Sequence, residues 1–184
     1  MGIALLVIDL QLAMRPEHNA GTPWANPDAP DTAGHLLAAF RAAGLPVVHI
    51  HHHGTDPDDG FHPDNPLSAA MPQVAPWPGE AVVIKHGSSG FIGTGLQALL
   101  QGAGHDALVV VGGEANMCVE STVRMAGNLG FDTTVVADAL VNFPRSRRDG
   151  GIIAAQDVLE MTLANLRGFA RVADAAQILA EVQG

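Results

Sequence analysis

The sequence predicts a doubly wound α/β fold, in which a six-stranded, mainly parallel sheet carries helices on both faces. Two observations predict this class: apolar runs typical of buried strands recur along the chain, and helical patterns separate most of them. Because the runs are continuous rather than alternating, each strand is expected to be buried on both faces, as parallel strands are. With 184 residues and 47% hydrophobic content, we expect a single domain over residues 1–184.

The predicted elements follow one another as strand, helix, strand. The six apolar runs lie at residues 3–8, 46–50, 81–84, 107–111, 133–137 and, more weakly, 169–172. The helical patterns lie at residues 32–43, 93–102, 118–129 and 150–166. Glycine directly follows two of these patterns, at Gly44 and Gly130, and is typical of helix ends.

Two long segments interrupt this alternation, at residues 15–30 with four prolines and at residues 54–79 with six. Loops of this length inside a domain usually form lids, binding loops or subunit contacts. We therefore expect both segments to border a binding site or an interface between copies of the chain.

Composition excludes several classes of function. The formal net charge is -10, so a nucleic-acid or anionic membrane surface is not expected, and the only basic cluster, Arg145 to Arg148, is short. A single cysteine excludes an intramolecular disulfide and a Cys-rich zinc site. The apolar start of the chain lacks a basic region, and no run is long enough to span a bilayer. We expect a cytoplasmic protein.

Three residues with chemical potential stand at or after the ends of predicted strands. Asp9 follows the first strand and Lys85, the only lysine, follows the third. Cys118, the only cysteine, follows the fourth strand after a short turn and begins a helical pattern. In open parallel sheets, ligands bind at the carboxyl ends of the strands, so these side chains are expected to share one site.

Thiol, carboxylate and ammonium groups together can carry out acyl transfer. The start of a helix and a nearby ammonium both favour a thiolate, so we expect a low pKa at Cys118, although Glu120 in the same turn would oppose it. Asp9 could accept the thiol proton and return it to a leaving group. Each residue also has a plain alternative: Asp9 as a cap, Cys118 as a small buried apolar group, and Lys85 with only its stem buried.

These residues lie in three segments that resemble the isochorismatase-like cysteine hydrolases, which include nicotinamidases, N-carbamoylsarcosine amidases and ureidoacrylate-type amidohydrolases. Residues 6–11 (Leu-Val-Ile-Asp-Leu-Gln) are similar to the family's first strand with its general base. Residues 83–96 resemble its lysine strand and the Phe-x-Gly-Thr segment after it. Residues 112–122 (Gly-Gly-Glu-Ala-Asn-Met-Cys-Val-Glu-Ser-Thr) resemble its nucleophile turn. The occurrence of all three segments in this order is strongly specific for this family.

The resemblance implies the family's three-layer sandwich and a role for each residue. Asp9 would be the general base, Lys85 would stabilise charge, and Cys118 would attack a carbonyl carbon to form a thioester. A cis peptide bond would join Gly113 to Glu114, and the backbone N–H groups of Glu114 and Cys118 would form an oxyanion hole. The family's enzymes also imply a homodimer or homotetramer, with residues 15–30 and 54–79 as interface candidates.

The sequence thus predicts a hydrolase that cleaves a C–N bond in a small amide or carbamoyl substrate without a cofactor. Side chains expected to contact the substrate are Gln11, Trp24, His52, Phe91, Met117 and Phe143. Three alternatives stay open: cleavage of a vinyl ether, as in isochorismatase itself; a redox-sensing or binding protein with a low-pKa Cys118; and a family member without activity. The acidic segment 54–79 favours neutral or cationic ligands.

A run of histidines raises the further possibility of a metal site. His49, His51, His52 and His53 lie on or after the second strand, His62 follows, and Asp56 and Asp58 lie between. Strand alternation sends His49 and His51 to one face and His52 to the other, which spoils a simple cluster. Nicotinamidases of the family that this chain resembles bind a metal through an Asp-x-His segment in this region. Residues 54–57 (Gly-Thr-Asp-Pro) depart from that pattern. We therefore predict no metal, with His52 or His53 lining the pocket.

Overall fold

The computed structural model describes residues 2–184 and contains eight strands in those residues. In chain order they are β1 (Gly2–Ile8), β2 (Val47–His52), β3 (Ala81–Lys85), β4 (His105–Gly112), β5 (Asp132–Leu140), β6 (Arg145–Ser146), β7 (Ile152–Ile153) and β8 (Arg171–Ala173). Six of them form a parallel sheet in the order β3-β2-β1-β4-β5-β8, while β6 and β7 pair as a separate antiparallel hairpin.

Helices cover both faces of the sheet. They are α1 (Ala29–Ala42), α2 (Leu96–Gly102), α3 (Glu120–Asn128), α4 (Ala155–Leu166) and α5 (Ala175–Gln183), with a π-helical turn (Ala115–Val119) directly before α3. Apolar side chains of α2, α3 and α4 pack in the core on one face, and those of α1 and α5 pack in the core on the other. The predicted doubly wound class is confirmed.

The central strand β1 shows why its sequence is continuously apolar. Ala4, Leu6 and Ile8 belong to the core on one face, while Leu5 and Val7 belong to the core on the other. Successive side chains of a strand point to opposite faces, so a strand between two helical layers needs apolar residues at every position.

Strand order places a crevice beside β1. The chain runs outward from β1 through β2 to β3, then crosses back to β4 on the other side of β1. Such a reversal separates the connections that leave the two neighbouring strands and opens a ligand site at their carboxyl ends. Asp9 follows β1 at this point, and Gly113 follows β4.

Helix boundaries differ from the sequence pattern at glycines. Gly93 and Gly150 have φ angles of 70° and 87°, which right-handed helices do not adopt, so α2 and α4 begin later than predicted. Gly44 (φ 66°) and Gly130 (φ 87°) end their helices as expected. The helix α5 was not predicted from the sequence, although Asp174 and Gln177 form a capping box at its start.

Among residues 2–184, no helix combines the length and the apolar character that crossing a bilayer requires.

Lowering the pH is expected to destabilise the fold between about pH 6.5 and 4, partly through His51. Burial, together with His49 and His53, lowers the pKa of His51 from 6.5 to about 4. Above both its folded-state and its unfolded-state pKa, His51 is neutral in both states and does not change the free energy of unfolding. Between the two pKa values only the unfolded chain binds the proton, which favours unfolding. The free energy of unfolding should therefore fall by about 3 kcal/mol as pH drops through this window.

The variant His51→Gln should lose less stability than the wild type between pH 7 and pH 4 when both are unfolded with urea. Replacing the exposed His35 on α1 provides a control that should keep the wild-type slope. Equal losses in the wild type and in His51→Gln would contradict this account.

Candidate active site

Asp9, Lys85 and Cys118 meet at the carboxyl ends of the strands. The Nζ atom of Lys85 lies 2.6 Å from Oδ2 of Asp9 and donates a hydrogen bond of 3.2 Å to Sγ of Cys118. It also donates to the carbonyl oxygen of Gly87 at 3.2 Å. Lys85 is fully buried and Asp9 is 3% exposed, so the two charges compensate each other inside the protein.

Local backbone geometry directs Asp9 into the crevice. Its backbone N–H still donates to the carbonyl oxygen of Ile50 on β2, at 2.8 Å, as the last contact of the β1–β2 ladder. At Asp9 itself φ is 51°, a left-handed conformation that Asp tolerates better than most residues. The chain therefore leaves the sheet here, where the side chain can reach Lys85.

The turn between β4 and α3 carries the cysteine. Gly112 has a φ of 130°, and a Cβ atom there would overlap the carbonyl oxygen of Ile8, so only glycine fits beside β1. The Gly113–Glu114 peptide bond is cis, as the resemblance implied. Cys118 lies in the π-helical turn rather than in the first turn of α3.

Polar side chains hold this turn from outside. The carboxylate of Glu114 pairs with the guanidinium of Arg145 on β6, which also donates to Oδ1 of Asn116 at 3.0 Å. The buried Asn142 accepts a hydrogen bond from the backbone N–H of Asn116 at 3.3 Å. Within residues 2–184 the backbone N–H of Glu114 donates to no acceptor, which leaves it free to bind a ligand.

The low thiol pKa expected from the sequence is wrong. Burial, and next the charge of Asp9, raise the pKa of Cys118 to about 12, and Lys85 offsets only part of this increase. Burial also raises the pKa of Asp9 despite the attraction of Lys85. At neutral pH the thiol is therefore protonated, and it needs a neighbouring base before it can attack as a thiolate.

A cavity of about 280 Å³ opens above Asp9 and Cys118. Its other lining residues are Ala13, Met14, Asn19, His52, Phe61, Gly113, Glu114, Met117 and Phe143. Burial lowers the pKa of His52, so its ring is a neutral hydrogen-bonding group at this wall. The walls are mainly apolar, with a few polar groups near the thiol.

The sequence-predicted contact residues separate into two groups. His52, Met117 and Phe143 line the cavity, whereas Gln11, Trp24 and Phe91 are not among the residues that line it. Trp24 packs on the ring of Phe143, with centroids 6.0 Å apart.

Phe91 and Gln11 are both buried away from the cavity surface. Phe91 stacks on Phe131 in the core, with ring centroids 5.6 Å apart. The side chain of Gln11 is fully buried and hydrogen-bonded to backbone groups. A position at or just after the end of a strand does not by itself show whether a side chain lines the cavity or is buried in the interior.

Sequence reasoning missed four lining residues: Ala13, Met14, Asn19 and Phe61. Two of them belong to the long segments 15–30 and 54–79, whose length did indicate a binding role. The ring of Phe61 contacts that of His52 with centroids 5.6 Å apart. The available signal was a single aromatic residue within the polar stretch 54–65.

The histidines do not converge. Nε2 of the buried His49 lies 2.8 Å from Oε2 of Glu80, on the side of β2 away from the cavity-lining His52. Residues 2–184 contain no group of three His, Cys, Asp or Glu side chains placed to hold a metal ion.

The doubly wound fold brings a half-buried thiol together with a buried carboxylate and a buried ammonium, an arrangement that suits a hydrolase with a nucleophilic cysteine. The family model of the isochorismatase domain matches residues 3–177, and the chain belongs to the isochorismatase family. It is a hydrolytic enzyme, and the family resemblance stated from the sequence is confirmed.

Similar proteins support this assignment along almost the whole chain. An isochorismatase-family protein of known structure from Chromobacterium violaceum is 42% identical, with a TM-score of 0.94, over 99% of this chain and 94% of that chain. The isochorismatase family protein YrdC of Bacillus subtilis is 31% identical over 96% of this chain and 94% of its own. Maleamate amidohydrolase of Pseudomonas putida is 30% identical over 85% of each.

Proposed function

We propose that the enzyme cleaves the C–N bond of a small amide or carbamoyl compound through a thioester on Cys118. The observation that carries the proposal is the contact of one ammonium group with both the Asp9 carboxylate and the Cys118 thiol, beneath a cavity. The relative named maleamate amidohydrolase supports an amide as substrate.

In the first half-reaction, Sγ of Cys118 attacks the carbonyl carbon while Asp9 takes the thiol proton. The raised pKa of Cys118 makes this transfer necessary, because almost no thiolate exists at neutral pH. The tetrahedral intermediate then expels the amine, which receives the proton from Asp9 as the C–N bond breaks. The Nζ group of Lys85 stabilises negative charge on the sulfur and on Asp9.

In the second half-reaction, water attacks the thioester carbon. Asp9 accepts a proton from this water, the C–S bond breaks, and the proton returns to the departing sulfur. The product is a carboxylic or carbamic acid, and the enzyme returns to its starting protonation state.

The oxyanion formed in both half-reactions would accept hydrogen bonds from the backbone N–H groups of Glu114 and Cys118. The N–H of Glu114 is free within residues 2–184, and Cys118 supplies its own N–H next to the attacking sulfur. A single donor of this kind typically contributes about 3 kcal/mol to stabilising the transition state.

Size and polarity of the cavity favour small uncharged acyl groups. At about 280 Å³ it lies below the usual range for drug-sized ligands. Phe61, Met117 and Phe143 offer apolar contacts, while Glu114 is already neutralised by Arg145. The homo-oligomeric state and the cytoplasmic location stay predictions.

The raised thiol pKa disfavours the redox-sensor alternative, because sensor cysteines react as exposed thiolates of low pKa. The buried carboxylate also has no part in such chemistry, whereas hydrolysis uses it in both half-reactions.

The proposal predicts a covalent intermediate that depends on Cys118. Wild-type protein mixed with a panel of small primary amides, N-carbamoyl amino acids and dicarboxylic monoamides should show, after acid quenching, the mass of an acyl group on Cys118. Replacing Cys118 with alanine should remove this adduct and lower turnover by about 10⁴-fold or more.

The substitution removes only a sulfur atom, so Cys118→Ala should keep its thermal midpoint close to that of the wild type. Full turnover in the alanine variant, or a wild-type protein that hydrolyses no member of the panel, would contradict the proposal.

A further inference from the structure

The buried side chain of Gln11 joins separate parts of the chain that border the cavity. Its Nε2 donates to the carbonyl oxygens of His52, at 3.0 Å, and of Ser68, at 2.7 Å. Its Oε1 accepts from the backbone N–H of His52 at 2.8 Å. Both amide hydrogens are therefore used inside the protein, and no donor is left for a substrate.

The side chain takes the place of a strand that has ended. Backbone pairing of β1 with β2 stops when Asp9 donates to Ile50, because the left-handed conformation of Asp9 turns the chain out of the sheet. His52, two residues further along β2, would then lack partners on its β1 side. The amide of Gln11 supplies one acceptor and one donor to His52, as a continuing backbone would.

The third hydrogen bond reaches the segment that carries a wall of the cavity. Ser68 closes a short helical turn (Pro66–Ser68) in the segment 54–79, to which Phe61 also belongs. Backbone bonds of residues 69 and 71 with residues 12 and 10 tie the same segment to the chain after β1. The Gln11 side chain thus links the Asp9 turn, the His52 wall and the Phe61 segment.

We propose that Gln11 is a positioning residue for hydrolysis, which holds Asp9, His52 and the segment 54–79 in their places around Cys118 without contacting the substrate. This inference rests on the proposed function and differs from the substrate contact that the sequence predicted for Gln11. Its Nε2 and Oε1 act through the backbone of other residues, so its loss should alter the site more than the remainder of the fold.

The test compares two disruptive variants with a matched control. Gln11→Met keeps the length of the side chain but removes all three hydrogen bonds, and Gln11→Asn is too short to reach both His52 and Ser68. The control is Thr133→Val, which removes a buried side-chain hydrogen bond to Phe131 near the start of β5, at the end of the sheet opposite the thiol. All three are expected to lower the thermal midpoint.

Only the Gln11 variants should change the site. Since burial is the largest cause of the raised thiol pKa, a loosened wall that admits water should lower it. The midpoint of iodoacetamide alkylation of Cys118 should then move down by one pH unit or more. With a substrate from the panel, kcat should fall about 10-fold or more as Asp9 shifts, and KM should rise.

A purely structural role for Gln11 predicts a different result. A folded Gln11→Met or Gln11→Asn protein with a lowered thermal midpoint, but with the alkylation profile and kcat of Thr133→Val, would overturn the inference. If the wild type hydrolyses no amide, the proposed function fails, whereas the alkylation profile still decides whether Gln11 holds the surroundings of Cys118.

Discussion

Replacing Asp9 with asparagine is expected to abolish hydrolysis and, at the same time, to make Cys118 easier to alkylate. The negative charge of Asp9 is one cause of the raised thiol pKa, whereas Lys85 lowers it. Without the carboxylate, the thiol pKa falls and more thiolate forms at a given pH. Hydrolysis should nevertheless fall by about 10³-fold or more, because no group remains to carry the proton to the leaving amine.

These opposite changes separate a general base from a residue that merely organises the site. Iodoacetamide alkylation of the single cysteine, followed by mass between pH 6 and pH 10, measures the first change, and turnover of an amide from the panel measures the second. Asp106→Asn, which removes an exposed carboxylate near the start of β4, should leave both unchanged. Slower alkylation in Asp9→Asn, or retained hydrolysis, would exclude the assigned role.

Replacing Lys85 with methionine is expected to destabilise the protein by about 3–5 kcal/mol at pH 7.5, because it leaves Asp9 buried without its cation. The pKa of Asp9 should rise further, so that its carboxyl group becomes protonated and can no longer act as a base. Turnover should fall with the loss of this base.

The loss of stability in Lys85→Met depends on pH because the pKa of Asp9 is raised in the folded state. Below the pKa of the unfolded chain, about 3.8, Asp9 is protonated in both states and the shift costs nothing. Between that pH and the higher folded-state pKa, the unfolded chain releases its proton while the folded chain retains it, so stability falls as pH rises through this interval. The deficit of Lys85→Met relative to the wild type should therefore be small near pH 4 and grow towards neutral pH.

The double variant Asp9→Asn/Lys85→Met provides the control for this prediction. It contains neither buried charge, so it should be more stable than Lys85→Met in urea unfolding at pH 7.5. Together with Asp9→Asn and the wild type, it completes the cycle that gives the coupling energy between the two residues. A double variant less stable than Lys85→Met would show that Asp9 is not the origin of the loss.

Local patterns were sufficient for much of the fold. Continuous apolar runs such as residues 3–8 predict buried strands, because a strand between two helical layers needs apolar side chains on both faces. Glycines predict two helix ends correctly, at Gly44 and Gly130. The helical patterns that start at Gly93 and Gly150 are too long, because α2 and α4 begin after these glycines. The helix α5 was missed because its only strong local signal is one capping box.

The meeting of Asp9, Lys85 and Cys118 was predictable for a similar reason. Parallel strands end at one edge of their sheet, so residues directly after several strands come together whatever the details of packing. Lys85 and Cys118 are also the only lysine and the only cysteine in the sequence, which made these two positions conspicuous. Side chains further from the strand ends carried no such constraint, and Gln11 and Phe91 are buried elsewhere rather than in the cavity wall.

By itself, then, the sequence determined the class of fold and the three residues that meet at the carboxyl ends of its strands, because periodicity and strand ends are local properties of a chain. Tertiary structure decided the protonation state of the thiol and the composition of the cavity wall. A pKa sums burial and every nearby charge, and for Cys118 burial and Asp9 outweigh the lysine that the sequence emphasised. Such a sum depends on distances between residues far apart in the chain, which only the folded protein sets.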